Sequence, residues 1–245
     1  MKSIGVIPAR YASSRFEGKA LADIFGKPMV QHVYERASRA KTLNGVIVAT
    51  DDRQIYDAVA GFGGEVLMTA PNCPTGTERV AVVAEMLDCD VVANIQGDEP
   101  LLEPAMIDQL IQPFLDNPAV EVSTLKQRVE NEADYRDPNV VKLVTSLDGF
   151  ALYFSRGAVP GNLSNDWIKT NPIYRHVGLY AYRRKTLLSF TEWDRTPCEI
   201  SEGLEQLRFL EHSVRIRVVE TEYPTIGVDT PADLERVISI LKSCQ

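Results

Sequence analysis

Four short apolar runs, separated by segments of helical spacing, constrain what this chain can fold into more than any other feature. The runs Ile4–Ile7, Val46–Ala49, Glu65–Thr69 and Asp90–Ile95 are close to continuously apolar, the pattern of strands buried on both faces by covering helices. Between the first two, Gly26-Lys27-Pro28 reads as a turn with Pro28 at the first position of a helix, in which Val30, Val33, Tyr34 and Ala37 recur at i, i+3, i+4 and i+7. After the second, Thr50-Asp51-Asp52 supplies a cap for another helix, and Gly61, Gly63 and Gly64 end it. Such alternation predicts an α/β chain with a Rossmann-like, doubly wound, mostly parallel sheet. With 245 residues, 44% of them hydrophobic, a single domain has enough apolar material for its core.

The first run gives way at Pro8 to a loop of concentrated positive charge. Arg10, Arg15 and Lys19 fall there with Ser13, Ser14 and Gly18, a set suited to a triphosphate because arginine presents a planar fork and lysine a compact point charge. The whole chain carries a net charge of −8, so nucleic acid or an anionic membrane is not expected as its main partner. The cradle is built from side chains: a Walker loop needs glycine where Ser13 stands and Ser or Thr where Ala20 stands, and no G-x-G-x-x-G occurs. Cys73, Cys89, Cys198 and Cys244 contain no C-x-x-C pair, which argues for free thiols over a zinc site or a disulfide framework. No apolar stretch approaches the ~20 residues of a membrane span, and Arg10 stops the first apolar run short of a signal sequence. A soluble, cytoplasmic protein is expected.

Two acids stand out. Gln96-Gly97-Asp98-Glu99-Pro100 follows the fourth run, and ligands of open α/β sheets sit beyond the carboxyl ends of strands. Asp98 is therefore a metal-ligand candidate, with Gly97 allowing close backbone approach and Gln96 able to read a base edge. In Gly227-Val228-Asp229-Thr230-Pro231, Pro231 suits a first helical position, Thr230 caps the helix and Asp233 reciprocates. Asp229 is then left over as the second ligand candidate. Asp88-Cys89-Asp90 matches the D-x-D of metal-dependent glycosyltransferases but lies at the amino end of its strand, on the wrong side of the sheet. The segment from Pro71 to Arg79 is a turn-rich loop entering a helix at about Thr77, readable as a capped connector or as a nucleoside pocket in which Arg79 offers donors.

From about residue 119 strands outnumber helices: Val120–Leu125, Val140–Thr145 and, after the turn Leu147-Asp148-Gly149-Phe150, Ala151–Phe154. Arg156 follows the last of these and can face an acidic sugar. Tyr174–Tyr182 reads as a strand with His176, Gly178 and Tyr180 on one face. Glu199–Leu210 reads as one helix whose Leu204, Leu207 and Leu210 point inward, leaving Glu205 and Gln206 off the buried stripe.

The stretches running Pro8 to Lys19 (PARYASSRFEGK), Asn94 to Pro100 (NIQGDEP) and Gly227 to Glu235 (GVDTPADLE) resemble the motifs of the sugar nucleotidylyltransferases, and in this form those of the 3-deoxy-manno-octulosonate cytidylyltransferase (CMP-KDO synthetase) family. The resemblance runs from Ser3 to about Ile240. It implies transfer of CMP from CTP to an acidic 2-keto sugar for lipopolysaccharide biosynthesis, a nucleotide-diphospho-sugar transferase type of fold, Mg²⁺ held by Asp98 and Asp229, and a homodimer. By the matching positions, Arg10, Arg15, Lys19, Asp98 and Asp229 are catalytic. Pro8, Ala9, Arg10, Lys19, Thr75, Gly76, Arg79 and Gln96 hold the nucleotide, and Arg156, His176, Tyr180, Glu205 and Gln206 hold the sugar. The single domain divides into a nucleotide-binding part over 1–118, an inserted acceptor and dimerisation part over about 119–190, and a return to the sheet over 191–245. Glu17 and Ala20 stand where the family usually has proline, and Gly157 to Gly161 lacks the Pro-Tyr-x-Arg that often follows Arg156. Cytosine is preferred over uracil here by resemblance alone. The alternatives at this point are a modified acceptor such as 8-amino-3,8-dideoxy-manno-octulosonate, a glycosyltransferase using a nucleotide sugar, and a non-catalytic nucleotide-binding regulator.

Overall fold

The first apolar run becomes the central strand of the sheet because it carries apolar side chains to both faces. Ile4 and Val6 join one core cluster, Ile7 and Ala9 the other. In the computed structural model, which describes residues 1–12, 16–71, 73, 75–161 and 172–243, the strands in chain order are β1 (Ser3–Ala9), β2 (Asp23–Ile24), β3 (Lys27–Pro28), β4 (Gly45–Thr50), β5 (Glu65–Met68), β6 (Val91–Asn94), β7 (Val122–Arg128), β8 (Lys142–Thr145), β9 (Ala151–Ser155), β10 (Tyr174–Arg183) and β11 (Ile216–Glu220). The helices are α1 (Met29–Ala37), α2 (Arg53–Gly61), α3 (Gly76–Met86), α4 (Pro104–Asp116), α5 (Glu132–Arg136), α6 (Arg184–Thr191), α7 (Pro197–Glu202), α8 (Leu207–Glu211) and α9 (Pro231–Ser243).

The main sheet runs β11-β7-β10-β6-β1-β4-β5, with β8 and β9 branching from β10. Strands β5, β4, β1 and β6 are mutually parallel, in register from Ile4 opposite Gly45 to Ala9 opposite Thr50 and from Ser3 opposite Val91 to Val6 opposite Asn94. Only β10 in this row runs against its neighbours, with Tyr180 opposite Asn94 on one side and opposite Thr124 on the other. The expectation of a doubly wound, mostly parallel sheet holds. Helices α1, α2 and α4 cover one face through Val30, Val33, Ile55, Val59, Met106 and Leu110. Helices α3, α6 and α8 cover the other through Val80, Val83, Leu187, Phe190 and Phe209. These side chains are almost completely buried, and each contributes about 1.5–3 kcal/mol of hydrophobic stabilisation.

A smaller cluster of Ile24, Met29, Val228 and Val237 fastens α9 to the β2–β3 hairpin and the start of α1. It carries the segment ending in Asp229 toward the mouth of the sheet. Pro28 forms a short ladder with Asp23 and precedes the helix as its extended cap residue, so the turn sits one step earlier, at Phe25 and Gly26, both with positive φ.

The helix expected over Glu199–Leu210 is two helices. Thr196 and Glu199 form a capping box that starts α7 at Pro197, and Gly203 adopts a left-handed conformation, φ 62°, that ends it. A short turn then leads into α8. The break rotates Glu205 and Gln206 inward instead of leaving them on a solvated face.

Candidate active site

Strand β1 pairs with β4 on one side and β6 on the other, so the strand order reverses between β1 and β6. That reversal opens a crevice at their carboxyl ends. A cavity of about 290 Å³ lies there, lined from β1 by Pro8, Ala9 and Arg10, and from the end of β6 by Gln96, Gly97 and Asp98. Lys19, Thr75, Gly76, Arg79 and Asp229 complete its charged and polar wall. Gly97 is required by the narrowness of the crevice: a Cβ there would lie 2.9 Å from the Pro8 carbonyl oxygen.

Lys19 ties the two sequence-selected acids together. Its Nζ donates to Asp98 Oδ2 at 2.6 Å, to the Val228 carbonyl at 3.2 Å and to Asp229 Oδ1 at 3.4 Å. The Val228 amide in turn donates to the Asp98 carbonyl at 2.8 Å. Residues far apart in sequence thus meet at one cationic point on the cavity wall. Thr230 and Asp233 cap α9 between themselves, through bonds of 2.8–3.3 Å. Arg10 is exposed at the rim, and Glu17 faces solvent instead of the cavity. Arg15 lies outside the described residues.

Magnesium fits this arrangement. Two carboxylates already converge on a cation, the Lys19 ammonium, and Mg²⁺ takes one or two protein carboxylates and completes its octahedron with phosphate oxygens and water. No group of three or more His, Cys, Asp or Glu side chains suited to a metal occurs among the described residues.

Helix α3 brings the Thr75-Gly76 loop and Arg79 to the cavity. Thr75 caps it, accepting from the Glu78 amide at 3.2 Å. Arg79, one turn on, is buried, and its guanidinium donates to Asp51 Oδ2 at 2.7 Å and to Thr69 Oγ1. Asp52, as expected, caps α2 by accepting from the Ile55 amide at 3.0 Å. Asp51 does not line the cavity itself but holds Arg79 from behind it. Gln96 lines the cavity and donates to the Gly178 carbonyl at 3.0 Å, linking β6 to β10. Cys73 and Ala20 also line the cavity without a sequence signal of their own. Asp90 accepts from the Lys2 amide at 2.7 Å at the opposite end of β6, which removes the D-x-D decoy from the site.

A second, mostly aromatic group lies on the α3 side of β10. The His176 ring packs against Phe154 at 5.2 Å and Tyr180 at 5.3 Å, and its Nε2 lies 3.2 Å from Thr124 Oγ1. Burial pushes the His176 pKa down to about 3, so the ring is neutral. Burial also raises the Tyr180 hydroxyl well above its usual range, keeping it protonated. Gln206 is buried, and its Nε2 has no hydrogen-bond partner among the described residues. Glu205 is held by Thr75 and Thr77; burial raises its pKa, opposed by these hydrogen bonds. Arg156 does not line the cavity. Its Nε donates to the Glu202 carbonyl at 2.8 Å and its Nη1 to the Pro138 carbonyl at 3.1 Å, so its charge ties the end of α7 to the loop before β8.

The chain matches known proteins along its whole length. A family model described as cytidylyltransferase matches residues 4–216. A 3-deoxy-manno-octulosonate cytidylyltransferase from Geobacter sulfurreducens is 53% identical over 250 residues, covering 99% of this chain and 100% of that protein. The protein of the same name from Geotalea uraniireducens is 54% identical, with 99% and 100% covered. Among solved structures, a CMP:2-keto-3-deoxy-manno-octonic acid synthetase complexed with CTP is 41% identical and superposes with a TM-score of 0.95, covering 100% of both chains.

Proposed function

We propose that this chain, which belongs to the cytidylyltransferase family, transfers CMP from CTP to a hydroxyl of 3-deoxy-manno-octulosonate and releases diphosphate. The observation that carries the reading is the convergence of Lys19, Asp98 and Asp229 at the reversal crevice, whose lining does not include His176 or Tyr180. Nucleotidyl transfer depends on positioning and charge neutralisation more than on covalent catalysis. The acceptor oxygen forms a bond to the α-phosphorus, the bond from that phosphorus to the bridging oxygen breaks, and the hydroxyl proton is lost to solvent. Arg10 and Lys19 stabilise the charge that develops on the departing diphosphate. Asp98 and Asp229 would hold Mg²⁺, which when bound supplies charge neutralisation at the α-phosphate. Gln96 and the Thr75-Gly76 edge orient the nucleoside, with Arg79 fixed behind them by Asp51. His176, being neutral, meets the acceptor as a hydrogen-bonding group and not as a cation, together with Tyr180 and Gln206.

The same reading takes the enzyme to be a cytoplasmic homodimer; light scattering at micromolar concentration should give twice the chain mass. Among the described residues no helix is long and apolar enough to cross a membrane. The function is tested by diphosphate release from a panel of nucleoside triphosphates against 2-keto sugar acids. Release with CTP and 3-deoxy-manno-octulosonate is expected. Release only with the 8-amino sugar moves the acceptor assignment, and transfer only from a preformed nucleotide sugar refutes the reaction.

A further inference from the structure

Successive carbonyls of β10 leave the regular ladder and are met by side chains. Leu125 of β7 pairs with Val177 and Thr124 with Tyr180, so Gly178 and Leu179 bulge out of the pairing. Thr124 Oγ1 points its proton at the Leu179 carbonyl, 2.8 Å away, and at the Val177 carbonyl, 3.2 Å away. Gln96, on the cavity wall, donates to the Gly178 carbonyl between them at 3.0 Å. Bulges beside functional sites re-aim side chains, and this one draws two rings together. Four residues of regular strand span about 13 Å, yet the His176 and Tyr180 ring centroids are 5.3 Å apart.

Thr124 also decides which nitrogen of His176 carries a proton. A threonine hydroxyl has one proton, and carbonyl oxygens only accept, so that proton is committed to the bulge. Thr124 is fully buried, and solvent does not compete for it. Its oxygen therefore meets His176 Nε2, 3.2 Å away, with a lone pair, and Nε2 must be the protonated nitrogen. The ring is neutral, because burial pushes its pKa down to about 3. Nδ1 is then a bare acceptor, and it has no hydrogen-bond partner among the described residues. The buried Tyr180 hydroxyl beside it has none either. An acceptor and a donor are thus left over together on the α3 side of β10.

We infer that Thr124 is a positioning residue for the acceptor: it holds His176 as the Nε2-protonated tautomer and so presents Nδ1 to accept a hydrogen bond from a sugar hydroxyl. The inference rests on the sugar-facing role proposed for His176, and it names the atom that meets the sugar and the residue that sets it. Thr124 acts only through the ring and the bulge. Serine in its place keeps the hydroxyl, whereas valine keeps the shape and removes both the donor and the acceptor. With valine the Nε2 proton loses its partner, and the ring is free to exchange tautomers.

The test is nitrogen NMR of the imidazole rings in ligand-free protein carrying isotope-labelled histidine. The chain has three histidines, and His176 is assigned by the signals lost in His176→Gln. The wild type and Thr124→Ser are expected to show a protonated Nε2 and an unprotonated Nδ1. In Thr124→Val the two resonances should move toward each other as the tautomers mix. At saturating CTP, the KM of Thr124→Val for 3-deoxy-manno-octulosonate should rise about tenfold. Its KM for CTP, and both KM values of Thr124→Ser, should stay within about twofold of the wild type. A protonated Nδ1 in the wild type overturns the inference, whether or not Thr124→Val folds. So does a Thr124→Val that keeps the wild-type tautomer or the wild-type acceptor KM, or a Thr124→Ser that loses as much acceptor affinity as valine does. A wild type that releases no diphosphate with any sugar acid contradicts the proposed function, while the ligand-free spectrum still decides the tautomer.

Discussion

Replacing Lys19 by methionine keeps the length of the side chain and removes the charge on which the site converges. Unit charges about 4 Å apart attract by roughly 4 kcal/mol at an effective dielectric near 20, before any desolvation. Lys19 and Asp98 have side chains 18% and 29% exposed, so solvent screening and lost hydration leave a net contribution on the order of 1–2 kcal/mol. Asp229 is 48% exposed and farther away, at 3.4 Å, and adds at most about 0.5 kcal/mol. In a chain of 245 residues this corresponds to a Tm lower by roughly 2–8 °C. Catalysis should suffer far more. A preorganised cation aimed at developing charge contributes about 100- to 1,000-fold in kcat, or roughly 2.7–4 kcal/mol. The assay pairs kcat for diphosphate release at saturating substrates with calorimetric Tm in the same buffer. A variant within about threefold of wild-type kcat would refute the assignment of Lys19 to the leaving group; equal proportional losses in stability and rate would reduce it to a structural tie.

Three further outcomes follow from other parts of the molecule. Gly97→Ala places a Cβ 2.9 Å from the Pro8 carbonyl oxygen and must part β1 from the end of β6, so CTP affinity should fall about tenfold or more; unchanged calorimetry contradicts the narrow crevice. Arg208→Met leaves the buried Glu199 with only the Arg195 guanidinium and the Thr196 amide, each at 3.2 Å, for a loss of about 1–3 kcal/mol in urea unfolding, and a loss below about 0.5 kcal/mol contradicts the pair's role. Burial and the neighbouring Asp98 charge raise the Glu99 carboxyl from 4.5 to about 7, so between those values the folded state binds more protons than the unfolded and stability falls as pH rises. Glu99→Gln should therefore raise Tm more at about pH 8 than at about pH 5, and an equal change at both pH values counts against it.

The parallel half of the fold was legible because β1, β4 and β6 are buried on both faces and so read as unbroken apolar runs, while the edge strand β5 is partly buried only at its centre. Asp98 and Asp229 were legible for a related reason: each stands at the carboxyl end of an apolar segment, and the capping needs next to Asp229 are met by Thr230 and Asp233. What remained hidden was set by tertiary contacts. The leucine spacing over Leu204, Leu207 and Leu210 suits a continuous helix, and only the left-handed backbone at Gly203 shows that Glu205 turns inward toward α3. Arg156 looks in sequence like a cation free for an acid, but backbone carbonyls of Glu202 and Pro138 take its guanidinium. Arg79 looks like a donor to the base, while its partner Asp51 sits on a different strand end. No local pattern encodes such pairings across the sheet.

The central claim, that phosphorus passes from CTP to a sugar acid at this crevice, is tested most directly by a single-turnover reaction with CTP labelled at the α-phosphorus, excess enzyme, Mg²⁺ and 3-deoxy-manno-octulosonate. The account predicts that the label moves quantitatively into a CMP-sugar while the diphosphate carries none. Label that stays in CTP, or that appears in free CMP without passing through a sugar adduct, would contradict it.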